Sequence, residues 1–417
     1  MKESFFQAVW QYRLFDWKNL KTTQGENLII LNPGTLNHDS GPDFFNAKIQ
    51  IGTLTWAGNI ELHIRSSDWK KHAHEQDINY GNIILHVVVE DDEPLANVPT
   101  LELKDHLKPE LFDRYLSIIQ SLEEIPCARF LSNADLTVFN LLSERMMVER
   151  LENKCLTLEK VLLQNNGNWE DAFYKVLAGN FGFKTNKEPF EYLSKQTPIQ
   201  VLGKERNNPL QTQALLMGQA GFLQTTPIDS YQKELKAIYS YQQKKHNLEP
   251  IHLHLWKFMR TRPANFPTLR LSQFASLLFK TNKMLMECIN FQNIAHANNF
   301  FDIEADNYWQ KHIRFGVEGR NKSTKLGATA INLLLINTVI PFMFYYGKEN
   351  HQELLCENAL ELLKNLEPEN NKITRLWQKH HKTPYNAAES QALIELYTNH
   401  CLKKKCLNCT LGISFLR

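Results

Sequence analysis

Apolar positions in the N-terminal part of the chain follow two different spacings. From Phe5 to Trp17 they recur three and four residues apart, which predicts a helix over residues 4–17. Residues 44–51 and 54–65 alternate between apolar and polar, which predicts two strands joined by a turn at Gly52-Thr53. Further strands are predicted at 28–31, 82–89 and 100–104, with a loop and a short helix between 66 and 80. The predicted order is helix, three strands, helix, strand.

After about residue 109 the sequence pattern changes from strand-like alternation to amphipathic helical stretches. The clearest stretches are 141–162, 169–181, 211–222, 271–280 and 387–400. The chain shows neither an internal repeat nor a low-complexity linker. We therefore expect an α+β protein, with an N-terminal mixed-sheet α/β domain over residues 1–108 and an all-helical domain over 109–417.

Composition is that of a folded, soluble protein, with 43% hydrophobic and 22% charged residues. The net charge of +2 neither demands nor excludes a polyanionic partner, because a basic groove can coexist with a neutral total. The longest apolar run, Ala330–Tyr346, contains Asn332, Asn337 and Pro341, and we interpret it as a buried helix ending near Pro341. The first residues lack signal-peptide character. We expect a cytoplasmic protein without membrane contact, and the sequence leaves its oligomeric state open.

Two short motifs on the predicted strands carry candidate chemistry. Gly41-Pro42-Asp43 precedes one strand, and Glu61-Leu62-His63 lies within the next. Because strand side chains alternate, Glu61, His63 and Arg65 share one face. If the strands form a hairpin, Asp43 and Glu61 come together as catalytic metal ligands for Mg²⁺ or Mn²⁺. His63 is then placed to orient or activate a water molecule as the third catalytic residue.

These motifs and the element order resemble the PD-(D/E)xK nuclease superfamily over about the first quarter of the chain. The resemblance implies metal-dependent cleavage of nucleic-acid phosphodiesters. It implies a further metal carboxylate on the first helix, for which Glu3 is the candidate, and a Gln-x-x-x-Tyr motif, here Gln76 to Tyr80. The usual lysine is replaced by His63, which is not a permanent cation.

Over its whole length the chain resembles an uncharacterised bacterial family, domain-of-unknown-function family 2851. The segments that carry this resemblance are GPDF at 41–44, ELH at 61–63, SDW at 67–69, LHVV at 85–88, QALLMGQAGFL at 213–223, RTRPANFPTLR at 260–270 and CLNC at 406–409. The resemblance implies no activity.

Other interpretations of the same residues remain open. Gly-Pro-Asp is also an ordinary turn, and Glu61 and His63 could be solvated side chains on an exposed sheet face. The protein would then be a non-catalytic nucleic-acid-binding or scaffold protein with a degenerate nuclease fold. Alternatively, His63, His72, His74 and His86 fall within a short stretch and would suit a His-rich zinc hydrolase.

Three of the seven cysteines crowd the C-terminus, with the spacing Cys401-x4-Cys406-x2-Cys409. Thiolates at such spacing suit zinc or an iron–sulfur cluster. A fourth ligand would come from Cys127, Cys356 or His400. The alternative is that these are small buried residues of a reduced protein.

Basic residues in the helical part are candidates for contacting nucleic-acid phosphates. We single out Arg260, Arg262 and Arg270, which bracket two prolines, and Lys322 in a second basic cluster. Each of them could instead belong to a solvated face or bridge helices.

Overall fold

The computed structural model describes residues 1–72, 77–259, 261–320 and 323–417. The chain folds into two compact units, residues 1–142 with 396–417, and residues 143–395. The first contains a mixed sheet and the second is mostly helical, so the α+β prediction is confirmed. The first unit is larger than the predicted 1–108 domain, and it includes the last segment of the chain.

Six strands form the sheet of the first unit: β1 Leu28–Asn32, β2 Thr35–Leu36, β3 Phe44–Ile51, β4 Leu54–Arg65, β5 Ile83–Glu90 and β6 Thr100–Glu102. Their order is β1-β3-β4-β5-β6, with β2 beside β3. Strands β1, β3 and β4 are antiparallel neighbours, whereas β4, β5 and β6 run parallel. The sheet is therefore mixed, and β4 lies at the change of direction.

The helices, numbered along the chain, are α1 Glu3–Gln11, α2 Asp68–Lys71, α3 Pro109–Ile119, α4 Leu136–Gln164, α5 Trp169–Phe181, α6 Phe183–Gln196, α7 Ile199–Lys204, α8 Pro209–Gln219, α9 Ser230–His246, α10 Pro267–Lys280, α11 Met284–Ile289, α12 Ile294–Phe300, α13 Tyr308–Lys311, α14 Ala328–Leu334, α15 Ile340–Glu349, α16 Glu353–Lys364, α17 Lys372–Lys379, α18 Ala387–Glu395 and α19 Thr410–Ser414. A short hairpin, β7 His312–Arg314 and β8 Val317–Glu318, interrupts the helices of the second unit.

Strand β4 is covered on both faces. Ile60 and Leu62 are buried on one face, and Glu61 and His63 are buried on the other. Helices α1 and α2 both pack against β4. The face that carries the candidate chemistry is therefore interior at Glu61 and His63, whereas both ends of the strand, residues 54–57 and Arg65, are exposed.

Helix α1 is shorter than the apolar spacing predicts. It ends at Gln11, and Arg13 adopts a left-handed conformation with φ of 49°. A non-glycine residue in this region ends a helix, because the next turn cannot continue from it. The remaining apolar residues up to Trp17 follow in irregular chain.

The apolar run of the second unit does not end at Pro341. Helix continues from Ala328 to Glu349 through a π-helical turn at Leu335–Val339, just before the proline. Proline lacks an N–H, and the π turn accommodates the bond it cannot make. By length and composition this helix could cross a membrane, but 72% of its most apolar window is buried in the protein, as in the core helix of a soluble protein.

Candidate active site

The two predicted carboxylates are neighbours on the β3–β4 hairpin. The backbone N–H of Asp43 donates to Glu61 Oε2 at 3.0 Å, and the backbone N–H of Leu62 donates to Asp43 Oδ2 at 2.9 Å. Each carboxylate is thus bonded to the strand that carries the other. The register that pairs Phe44 with Ile60 produces this exchange, because it sets Asp43 beside Glu61.

Helix α1 adds two polar side chains one turn apart. Gln7 Nε2 donates to Asp43 Oδ1 at 2.7 Å. Glu3 is exposed, and after the larger effect of burial its charge adds to the raised pKa of both Asp43 and Glu61. Glu3 was predicted from the sequence, but Gln7 was not. Gln7 could have been found from its position four residues after Glu3, on a helix whose other residues are mostly apolar.

Electrostatics disfavour the ionised form of these acids. Burial raises the pKa of Asp43 to about 6, against hydrogen bonds from Leu62 and Gln7 that lower it. Burial, followed by repulsion from Asp43, raises the pKa of Glu61 to about 9. Burial also raises the pKa of Glu3. Of the three acids only Glu61 is fully buried, Asp43 is half-buried and Glu3 is exposed. Carboxylates are the donors that hard divalent cations take, and a bound cation would offset their repulsion.

His63 lies at the centre of a row of histidines. Its Nδ1 is 2.9 Å from His86 Nε2, and its Nε2 is 3.2 Å from His72 Nδ1. The same Nε2 is 3.8 Å from Glu61 Oε1. His63 and His86 are 1% and 0% exposed, so their contact is made out of solvent, whereas His72 is exposed. The row connects the acidic cluster to α2 and β5, where the Trp69 ring lies 5.0 Å from His86.

Part of the predicted Gln-x-x-x-Tyr motif is also at the site. Tyr80 contacts Trp69 edge-on, with ring centroids 6.2 Å apart. Burial, then the charges of Glu61 and Asp43, raise the pKa of Tyr80 to about 12, which places its hydroxyl near the acids. Gln76 and His74 lie outside the described residues.

The described ranges 1–72, 77–259, 261–320 and 323–417 contain no preformed metal-binding site. No three His, Cys, Asp or Glu side chains there are arranged to hold an ion as they stand. Both oxygens of Asp43 accept hydrogen bonds from protein donors, Gln7 and Leu62. These bonds hold the carboxylate in place, and side-chain rotation would have to precede or accompany metal ligation.

The C-terminal cysteines lie in the first unit with Cys127. Burial raises the pKa of the Cys401 thiol, and Cys127, Cys409 and Cys406 raise it further. Burial, then Cys409 and Cys406, likewise raise the pKa of Cys127 to about 12. The charges of these thiols thus act on one another, although no three of them, all among the described residues, are arranged to hold an ion as they stand. Cys356 belongs to the second unit, where its thiol donates to the Phe344 carbonyl at 3.5 Å.

Two of the four basic candidates can be assessed. Arg262 is exposed. Arg270 is only 6% exposed, and its guanidinium donates to Gln273 Oε1 at 2.8 Å and Asn265 Oδ1 at 2.6 Å. Arg270 therefore holds helix α10 to the loop before it and does not face a nucleic acid. Arg260 and Lys322 lie outside the described residues.

The fold and site together define an α+β protein with a partly buried cluster of acids and histidines on a mixed sheet. The chain belongs to the family described as protein of unknown function (DUF2851), whose model matches residues 3–372. This confirms the whole-chain resemblance. Comparisons with curated proteins and with solved structures found no match.

Proposed function

We propose that the protein is a metal-dependent nuclease that hydrolyses nucleic-acid phosphodiesters. The observation that carries the proposal is the convergence of Glu3, Asp43 and Glu61 beside His63, on a helix and a hairpin whose order resembles the PD-(D/E)xK core. Burying Glu61 beside a second carboxylate is costly to folding, and ionisable groups with strongly shifted pKa values concentrate at functional sites.

Asp43 and Glu61, with Glu3, would hold Mg²⁺ or Mn²⁺. The ion would polarise the phosphate and lower the pKa of an attacking water. Gln7 positions the Asp43 carboxylate through its 2.7 Å hydrogen bond. The backbone N–H of Leu62 fixes the other Asp43 oxygen. These two contacts pre-orient one ligand before any ion or substrate binds.

His63 would replace the lysine of the resemblance. Both ring nitrogens of His63 have imidazole partners. His63 can therefore accept a proton at one nitrogen while the hydrogen bond at its other nitrogen rearranges. Its Nε2 faces Glu61 Oε1, the side of the site where a water activated at the acids would lie. In that position the imidazole would orient or activate the attacking water, the part that the lysine plays in the resemblance.

A His-rich zinc hydrolase is the second candidate, and one distance favours it. His63 Nε2 and His72 Nδ1 are 3.2 Å apart, close to the ~3.4 Å between two nitrogens that share one tetrahedral zinc. Zinc that survives dialysis in one equivalent, and is lost in His72→Ala, would favour this candidate. A protein that binds Mn²⁺ reversibly at the acids would exclude it.

We also propose that Cys127, Cys401, Cys406 and Cys409 hold a structural zinc or an iron–sulfur cluster. Four sulfur donors are the full set that either group takes. Elemental analysis and a visible absorption scan of anaerobically purified protein would distinguish the two. Absence of both metals, with all four thiols free, would leave these residues as packing side chains.

Partner and location follow from the same proposal. Nucleic acid would be contacted by exposed cations such as Arg262, with Arg260 and Lys322 as further candidates. The apolar helix Ala328–Glu349 is mostly buried, which favours a soluble protein, and a cytoplasmic location without membrane contact is part of the proposal.

The test is cleavage of single-stranded DNA, duplex DNA and RNA with Mg²⁺, Mn²⁺ or chelator. Wild-type protein should cleave at least one substrate with metal, and Asp43→Asn and Glu61→Gln should each abolish cleavage. Glu90→Gln is the control, since Glu90 lies on β5 but pairs at the surface with Lys104. If wild-type protein binds nucleic acid but cleaves none with any metal, the non-catalytic scaffold alternative replaces the nuclease.

A further inference from the structure

The second unit contains a cavity of about 600 Å³ between α4, α5, α6 and the π-helical turn. Its apolar lining comes from Leu158, Val161, Val176 and Pro341. Small-molecule sites typically have this volume and combine apolar walls with a few polar groups. The site proposed above lies in the first unit, so it does not account for this cavity.

Lysines dominate the charge of the cavity. Lys154, Lys175, Lys187 and Lys195 line it, and Glu191 is the one acid among the described residues that do so. Opposite charges are close to two of the four. Lys175 bonds Asp171 at 2.8 Å, and Lys187 lies 3.9 Å from Glu191.

The other two lysines contact neutral groups in the part of the chain that the structure describes. The Lys195 ammonium lies 5.8 Å from the centre of the Tyr192 ring. The Lys154 ammonium donates to Ile336 O at 2.9 Å, Asn337 Oδ1 at 3.2 Å and Gln391 Oε1 at 3.2 Å. Lys195 and, when it is protonated, Lys154 therefore carry positive charge that no lining carboxylate offsets.

The surroundings of Lys154 disfavour its protonated form. Burial, then the charge of Arg150, lower the pKa of Lys154 to about 7, and Lys187 acts in the same direction. Glu369 and Glu395 oppose the shift without cancelling it. The amine is held by the π turn, a feature often found at functional sites. An anion in the cavity would relieve the repulsion among these lysines.

We propose that this cavity binds a nucleoside monophosphate or a phosphorylated metabolite of similar size. A phosphate monoester carries close to two negative charges at neutral pH, opposite in sign to the lysines that line the cavity. Lys187 and Lys195 stand two turns apart on α6 and bind the phosphate as point charges. The organic part lies against Leu158, Val161 and Val176. This site is independent of phosphodiester cleavage.

The test is calorimetric titration of the full-length protein with AMP, UMP, adenosine and inorganic phosphate. At least one nucleotide should bind, adenosine should bind at least roughly tenfold more weakly, and inorganic phosphate should also be weaker than the nucleotide. The double variant Lys187→Gln, Lys195→Gln should weaken nucleotide binding by about tenfold or more.

Lys184→Gln is the matched control, because Lys184 is an exposed lysine of the same helix that does not line the cavity. It should leave nucleotide binding unchanged. The proposal is overturned if no nucleotide binds, if adenosine or inorganic phosphate binds as tightly as the nucleotides, or if Lys184→Gln weakens binding as much as the double variant.

Discussion

Replacing Glu61 by glutamine should make the metal-free protein more stable while it removes activity. Glu61 has a raised pKa because it is buried beside Asp43 and Glu3. Glutamine keeps the shape and an oxygen that can accept the Asp43 N–H bond, but it cannot ionise. The substitution therefore removes the electrostatic penalty and retains the packing.

The size of the effect follows from the two pKa values. Glu61 has an ordinary value of 4.5 when the chain is unfolded and about 9 when it is folded. A raised folded pKa contributes stability that is complete below 4.5 and is lost as the pH rises toward 9. At pH 7 folding must take up a proton, at about 1.4 kcal/mol per pH unit above 4.5, which is about 3 kcal/mol.

Thermal unfolding in chelator, measured from pH 4.5 to 8, is the assay. Glu61→Gln should match wild type near pH 4.5 and exceed it by about 5 °C or more in Tm at pH 7, at roughly 2–4 °C per kcal/mol. Mn²⁺ should stabilise wild type and not the variant. Glu90→Gln should show no such pH-dependent gain. A Glu61→Gln protein that is no more stable than wild type at pH 7 would refute the electrostatic account of the site.

Three further predictions concern separate parts of the chain. His63→Lys should retain or raise Mn²⁺-dependent cleavage if His63 occupies the lysine position of the nuclease resemblance, and an inactive but folded variant in a cleavage assay would contradict that role. Gly218→Ala should destabilise the second unit by about 1–3 kcal/mol in urea unfolding, because its Cβ would lie 2.1 Å from Tyr239 Cγ; unchanged stability would show that the ring moves away easily. Cys406→Ser should lower both bound metal and Tm in elemental analysis and thermal unfolding, and a variant unchanged in both would argue against a metal at the cysteines.

Strand bounds were predictable because local alternation and turn chemistry agree. The predicted bounds of β3 and β4 match the structure, with Gly52 in a left-handed turn between them. Helix ends were less predictable. Apolar residues continue past Gln11, yet the backbone turns at Arg13, and Pro341 breaks no helix because the π turn precedes it. Both outcomes depend on packing against other elements.

The site was predictable only where it depends on strand register. Alternation along β4 indicated that Glu61 and His63 share a face, and the hairpin then set Asp43 beside them. The contact between Gln7 and Asp43 joins residues 36 apart, which no local pattern indicates. Arg270 is a different case. Its basic side chain was predicted to contact phosphates, but it is bonded to Gln273 and Asn265, which lie close to it in the sequence, and a charge pattern does not reveal such partners.

The position of the acids also bears on the choice between nuclease and scaffold. If the protein were only a scaffold, replacing Glu61 with a neutral side chain would stabilise it by about 3 kcal/mol at pH 7. Instead, the chain surrounds Glu61 with Asp43 and Glu3 and positions Asp43 with a dedicated glutamine. Glu61 is thus buried at a cost to folding, beside Asp43 and the buried histidines His63 and His86. This cost has a physical rationale if a cation and a proton acceptor are needed at one place. The unfolding of Glu61→Gln in chelator and its expected loss of cleavage therefore test the same arrangement of acids.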